Sequence, residues 1–198
     1  MKGMFLLHRP PWCAQGSRRL ASSRRIDGRT EEYHLGVTHA TALFALFLTR
    51  TLLPTLRRAT SSGPVEVLFV GSLASEIPPP CLPTYGAAKA FLKAFARALD
   101  NDEMLLGTPT RVRFAYLIVG VVHSAHHPTP SPPSIWVPTS PRFAWSLVES
   151  IGCGRRAITP YAAHAVRHWL LQVWGDRLAD LATRRHVQML AAEAAKRK

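Results

Sequence analysis

Cysteine, acidic side chains and long uninterrupted apolar runs are all scarce in this chain. Its 198 residues hold three cysteines, Cys13, Cys81 and Cys153, scattered and without a C-x-x-C pair. That excludes a disulfide framework and a thiolate metal site and fits a reducing compartment. The three read as small buried hydrophobes. Aspartate and glutamate number 12 against 25 lysines and arginines, a formal net charge of +13. The surplus collects in residues 1–30 and from Arg155 onward. No basic stripe interleaves with exposed aromatics and no zinc spacing occurs, so nucleic acid is not an expected partner. His126 and His127 sit side by side in a Pro-rich stretch without convergent ligands, and no metal is expected. No internal repeat is present.

What remains is a composition that can build a core: 47% of residues are hydrophobic, enough for one globular domain. Residues 1–30 are Arg- and Ser-rich and acid-poor, like a transit peptide, but Met4-Phe5-Leu6-Leu7 is too short for a secretory h-region. Pro10-Pro11, Gly16 and several serines break any pattern, so this segment reads as an irregular, disordered leader. Residues 37–57 are strongly apolar, with Leu43, Leu46, Phe47, Arg50 and Leu53 at helical spacing. Arg50 and Pro54 interrupt them, which favours a helix packed hard on a core over a membrane span.

The stretch 65-VEVLFVGS-72 has the β-branched and aromatic run of a buried parallel strand. Residues 85–99 read as an amphipathic helix with Leu92, Phe95, Ala96 and Leu99 inward. A second buried strand follows at 111–120, then a Pro-rich loop at 124–141 of the kind that covers a site. Helical sequence resumes at Pro141, a short apolar stretch occupies 157–161, and a basic helix runs from about Ala163. This alternation predicts an α/β fold, a partial doubly wound parallel sheet with flanking helices. His164 reads as a buried or capping residue, and Trp136, Trp145, Trp169 and Trp174 as apolar packing residues. The terminal helix covers the sheet, pairs with a second copy, or lies on an anionic membrane surface.

In a parallel sheet, ligands gather beyond the carboxyl ends of the strands. Ser72 stands at such an end, beside Gly71. Tyr85 and Lys89, four residues apart, share one face of the following helix. A phenol is a weak acid at neutral pH, and a nearby ammonium favours its ionised form. With a serine hydroxyl to hold the carbonyl oxygen, the set suits proton delivery to a ketone while a hydride reaches its carbon.

The Ser72…Tyr85-x-x-x-Lys89 pattern resembles the signature of the short-chain dehydrogenase/reductases. The segment 118-IVGVVHS-124 is similar to that family's Pro-Gly segment, with Val119 in place of proline and Ser124 at the usual threonine position. Together with GSLAS, PTYGAAKAF, 137-VPTSPRFA-144 and 160-PYAAHAV-166, it looks most like fungal very-long-chain 3-oxoacyl-CoA reductases, which are 17β-hydroxysteroid dehydrogenase-like. The resemblance spans about residues 31–175. It implies a Rossmann-like fold and an NADP(H)-dependent carbonyl reductase acting on a 3-oxoacyl-CoA or related long-chain ketone, with NAD(H) an alternative cofactor. It implies catalytic roles for Ser72, Tyr85 and Lys89, and cofactor contacts from Tyr85, Lys89, Val119, Gly120, Val122 and Ser124. It also implies an acyl pocket near Trp136, possible homodimerisation, and a place at the endoplasmic reticulum membrane or in the cytoplasm. Counting back from 49-TRTLLP-54, the family's active-site asparagine falls on Thr41, whose hydroxyl lacks an amide's paired donor and acceptor.

The Gly-rich turn that cradles a dinucleotide's pyrophosphate has no counterpart; Gly3, Gly16, Gly28 and Gly36 have neither the spacing nor a preceding strand. The N-N-A-G segment is absent as well. The expectation is therefore the C-terminal part of such a domain, residues 31–198, N-terminally truncated, with the strand at 65–71 left with an open edge. The alternative is a catalytically inactive relative that cannot hold the dinucleotide and serves as an interaction module.

Overall fold

The computed structural model describes residues 26–105, 110–124 and 132–196, with side chains given as far as residue 185. The leader from residue 1 to 25, with Cys13, lies outside the described residues, as do His126 and His127. Residues 26–30, expected to be irregular, are instead tied down. Ile26–Gly28 form a 3-10 turn, and the Thr30 hydroxyl caps helix α1 (Glu31–Thr38) by accepting from the Tyr33 amide. Arg29 stacks over the Tyr33 ring and donates to the Cys81 carbonyl.

Helix α1 runs through a π-helical turn, His39–Leu43, into α2 (Phe44–Ala59). From Glu31 to Ala59 the run is long and apolar enough to cross a membrane. One stripe of it, Ala45, Leu53 and Leu56, packs on the sheet's core. The opposite stripe, Phe44, Phe47, Leu48 and Leu52, faces outward, with Phe47 54% exposed. The expectation that Phe47 packs inward is thereby corrected. Three strands offer one helix-wide strip of apolar surface, and only one face of α2 can reach it.

Strand β1 (Val65–Val70) pairs in parallel with β2 (Val112–Leu117), which pairs in parallel with β3 (Ala157–Ile158). The order β1-β2-β3 puts β2 in the centre and leaves β1 at an edge. The period-2 alternation of β2 serves two faces. Val112, Phe114, Tyr116 and the following Ile118 meet α2 and α3 (Pro83–Leu105), whereas Ala115 and Leu117 meet Leu147 of α4 (Ser140–Ser150). Leu92 and Ala96 of α3 are buried as expected, with Phe95 and Leu99 partly so.

Helix α3 continues beyond residue 99 because its polar end is itself buried. Asp100 is 0% exposed and holds Arg113 at 2.8 Å, Arg156 at 2.8 Å and the Phe114 amide at 3.0 Å. One turn on, Glu103 is clasped by Arg57 of α2 and by the Thr110 hydroxyl at 2.6 Å. Two carboxylates thus fasten α3 to β2, to the approach to β3, and to α2.

Helix α5 (Ala162–Lys196) breaks at Gly175, whose φ of 71° and ψ of 168° lie outside the helical region. The tryptophans expected to pack are largely at the surface: Trp145 is 71% exposed and Trp169 59%. The cysteines are not buried hydrophobes either. Cys81 is half-buried and Cys153 exposed, because both sit in connecting segments rather than in the sheet layers.

Candidate active site

The site lies beyond the carboxyl ends of β1 and β2. Gly71 leaves β1 with its amide donating to the Leu117 carbonyl at 2.9 Å. The Tyr116 ring fills the space beside it so closely that a Cβ at Gly71 would lie 2.0 Å from Tyr116 Cζ and 2.4 Å from the Leu117 carbonyl oxygen. Gly71→Ala is therefore expected to cost about 2–3 kcal/mol, the scale of overpacking against atoms that cannot yield. Its urea midpoint should fall by that cost divided by an unchanged m; a midpoint equal to wild type would show that β1 and β2 separate freely here.

Tyr116 organises the site, and the sequence reading missed it. Its hydroxyl receives the Ser72 amide at 3.1 Å and donates to the Lys89 carbonyl at 3.1 Å, linking the serine to the helix that carries Tyr85. Burial raises the pKa of this phenol, so it stays protonated and able to donate. The available signal was a tyrosine inside an otherwise apolar buried strand, whose hydroxyl must find partners.

Ser72 caps the short turn Leu73–Ser75, its oxygen accepting from the Ala74 amide at 3.1 Å. That leaves its hydroxyl proton free to donate. Tyr85 lies in the first turn of α3, which α1 steadies from the side: His34 Nδ1 stands 2.6 Å from the Thr84 hydroxyl and Nε2 3.1 Å from the Ile26 carbonyl. The carbonyl can only accept, so Nε2 carries the proton and Nδ1 takes the Thr84 hydrogen bond.

Lys89 Nζ is 5.7 Å from the Tyr85 ring centroid and donates to the Val70 carbonyl at 2.8 Å. Desolvation by burial lowers its pKa from the usual lysine value. Val65 and Gly71 direct their amides to β2. Val70, an odd number of residues from each, therefore turns its carbonyl to the open edge, and Lys89 closes the last acceptor on that edge. Thr41 stands half-buried on the π turn, which packs against α3.

The segment after β2 is stitched at several points. The Ile118 amide donates to the Ile158 carbonyl, the Leu73 amide to the Val119 carbonyl, and the His123 amide to the Pro138 carbonyl. Gly120 donates to His164 Nδ1 at 3.2 Å, while His164 Nε2 lies 3.2 Å from the Val121 carbonyl. His164 is buried as expected, a neutral ring with one fixed tautomer. Burial lowers its pKa and the Arg167 charge lowers it further, while the Val121 and Trp136 carbonyls act in the opposite sense. A Cβ at Gly120 would lie 2.7 Å from the His164 ring, so only glycine permits this seat. Val122 and Ser124 extend the same segment, and Trp136 stands on the short turn closed between Ser134 and Val137.

As a cradle for a dinucleotide, these residues suit one end only. Ser72, Tyr85, Lys89 and the backbone of 119–122 converge beyond the sheet and can meet a nicotinamide and its ribose. No Gly-rich strand–turn–helix occurs among the described residues to receive the diphosphate.

Residues 35–130 match the family model for short chain dehydrogenase. The very-long-chain 3-oxoacyl-CoA reductase of Schizosaccharomyces pombe is 28% identical over 145 residues, 69% of this chain and 41% of that protein. That of Eremothecium gossypii is 29% identical over 155 residues, 72% of this chain and 42% of that protein. The chain thus spans less than half the length of these curated relatives. A short chain dehydrogenase from Burkholderia cenocepacia, solved in complex with NADP, superposes with a TM-score of 0.61 at 17% identity, covering 83% of this chain and 65% of that one. The likeness establishes a partial Rossmann-like fold.

Proposed function

The chain is a relative of the short-chain dehydrogenase/reductases, and from that premise we propose that it reduces a ketone to an alcohol with a nicotinamide dinucleotide, NADP(H) in preference to NAD(H). The substrate class is a 3-oxoacyl-CoA or a related long-chain ketone, met at the endoplasmic reticulum membrane or in the cytoplasm. The observation that carries this reading is the linkage of Ser72, Lys89 and Tyr85 through the Tyr116 hydroxyl and the first turns of α3.

The Ser72 hydroxyl, its oxygen already committed to the Ala74 amide, directs its proton at the ketone oxygen. Tyr85 delivers its phenolic proton to that oxygen as the carbonyl carbon is reduced, so the ketone gains one hydride and one proton. The Lys89 ammonium stabilises the phenolate that remains. The bound cofactor supplies the hydride. Gly120 and Val121, held by His164, form the backbone wall against which its nicotinamide would rest.

Fluorescence titration with NADPH tests the reading on the whole chain. Saturable binding in the micromolar range is expected, and absence of binding up to millimolar cofactor removes it. The second reading, a relative that does not hold the dinucleotide and acts as an interaction module, would then stand. It is favoured by one observation: the residues at the site suit only the nicotinamide end of a dinucleotide, with no Gly-rich strand–turn–helix among the described residues.

A further inference from the structure

Two lysines of α3, Lys89 and Lys93, stand one helical turn apart, and like charges at that spacing repel. Lys89 is drawn to the Val70 carbonyl. Lys93 is drawn instead to Glu76, its Nζ 2.6 Å from Oε1 and 2.7 Å from Oε2. Glu76 closes the short turn that Ser72 opens, and its side chain is only 14% exposed.

A second group faces the same carboxylate. His168 of α5 places Nε2 3.8 Å from Glu76 Oε2, and that nitrogen is sealed from solvent without a hydrogen-bond partner. A ring lone pair turned on a carboxylate would be repelled, so Nε2 carries a proton. An enclosed donor left unpaired is costly, and the carboxylate opposite is the acceptor that offsets it. His164, one turn earlier on the same helix face, holds the segment after β2. The first turns of α5 thus reach the segments leaving both β1 and β2.

The position of the carboxylate is passed to Ser72 through the turn itself. The Ser75 hydroxyl is shared between Glu76 Oε1 at 3.1 Å and the Ser72 carbonyl at 2.7 Å. The Ser75 amide donates to that same carbonyl, and the Glu76 and Ile77 amides donate to the Leu73 carbonyl. Tyr116, which receives the Ser72 amide, feels the same group: burial chiefly, and the Glu76 charge in addition, keep its phenol protonated.

We propose that Glu76 is a positioning residue for the Ser72 hydroxyl, clamped by Lys93 from α3 and by His168 from α5. The catalytic consequence rests on the reductase reading; the anchor itself does not.

Amide hydrogen exchange of the whole chain tests the anchor without reference to activity. In Glu76→Gln the amides of residues 75–77 should exchange about tenfold faster, the loss of one hydrogen bond to a charged group. The Phe114 amide in β2 should keep its rate. Lys93→Met should produce the same local change from the α3 side. His168→Leu should accelerate these amides about threefold on its own and not at all beside Glu76→Gln. Unchanged exchange in Glu76→Gln and Lys93→Met overturns the anchor. Equal effects of His168→Leu in the two backgrounds remove His168 from it.

Kinetics then measures the consequence. Glu76→Gln should lower kcat about 10- to 100-fold, the cost of a misplaced group, with NADPH affinity unchanged. In a Ser72→Ala background the same substitution should cost nothing further, and a full loss there overturns the positioning role. Accelerated exchange in a chain that reduces no ketone leaves the anchor standing and removes the reductase reading; reduction with unchanged exchange does the reverse.

Discussion

Tyr85→Phe is expected to lower ketone reduction by about 10²–10⁴-fold, the range for removal of a positioned general acid. Cofactor affinity should change little, because the ring that faces Lys89 remains. Stability should also hold, since no described residue hydrogen-bonds the Tyr85 hydroxyl. Steady-state kinetics with saturating NADPH, paired with a cofactor titration of the same variant, separates the two quantities. Undiminished turnover in the phenylalanine variant would transfer the proton donor to another group.

Asp100→Asn is the substitution with the largest expected cost in stability. It leaves Arg113 and Arg156 facing an uncharged amide at a position with no solvent access. Removing one partner of a buried ion pair costs about 3–5 kcal/mol, and the lower end applies because both arginines are partly solvated. Burial by itself would push the Asp100 carboxyl up. The hydrogen bonds from Arg113 and Phe114, with the charges of Arg113 and Arg156, outweigh it and hold the group below its usual range near 3.8. Arg57 and Thr110 likewise hold Glu103 below its usual 4.5 against the opposing effect of burial.

Groups depressed in the folded state stabilise it above their ordinary values and lose that contribution as pH falls through the folded ones. Unfolding free energy should therefore decline as pH drops below about 4.5, and Asp100→Asn should shed part of that decline along with about 3 kcal/mol at neutral pH. Urea titrations of both proteins across this range measure it; a loss under about 1 kcal/mol would place the burden on Glu103 instead.

The strands and the shared helical face of Tyr85 and Lys89 were legible because each is announced locally. A run such as VEVLFV carries its own apolar pattern, and Tyr85 and Lys89 declare their shared face by spacing alone. What escaped notice depends on partners far along the chain. Tyr116 acquires its role from register, which sets it beside Gly71 and Ser72. His164 acquires its role from a glycine 44 residues earlier. Asp100 and Glu103 lie past the expected end of the helix at residue 99 and are buried by arginines from three other segments. The apolar content of α2 was plain, but which stripe would find a neighbour depended on how wide the sheet is. The two-fold promise of the terminal tryptophans was similarly undecidable from periodicity, which reports a face and not what meets it.

The bond between the Lys89 ammonium and the Val70 carbonyl has a thermodynamic corollary. On the proposed function one cation would serve two acceptors at once: a lysine carries three donors, so a ribose hydroxyl could join the Val70 carbonyl without displacing it. By linkage the two contacts would then support each other, the occupied site shielding the unpaired rim of β1 and the rim holding the cation where the ligand needs it.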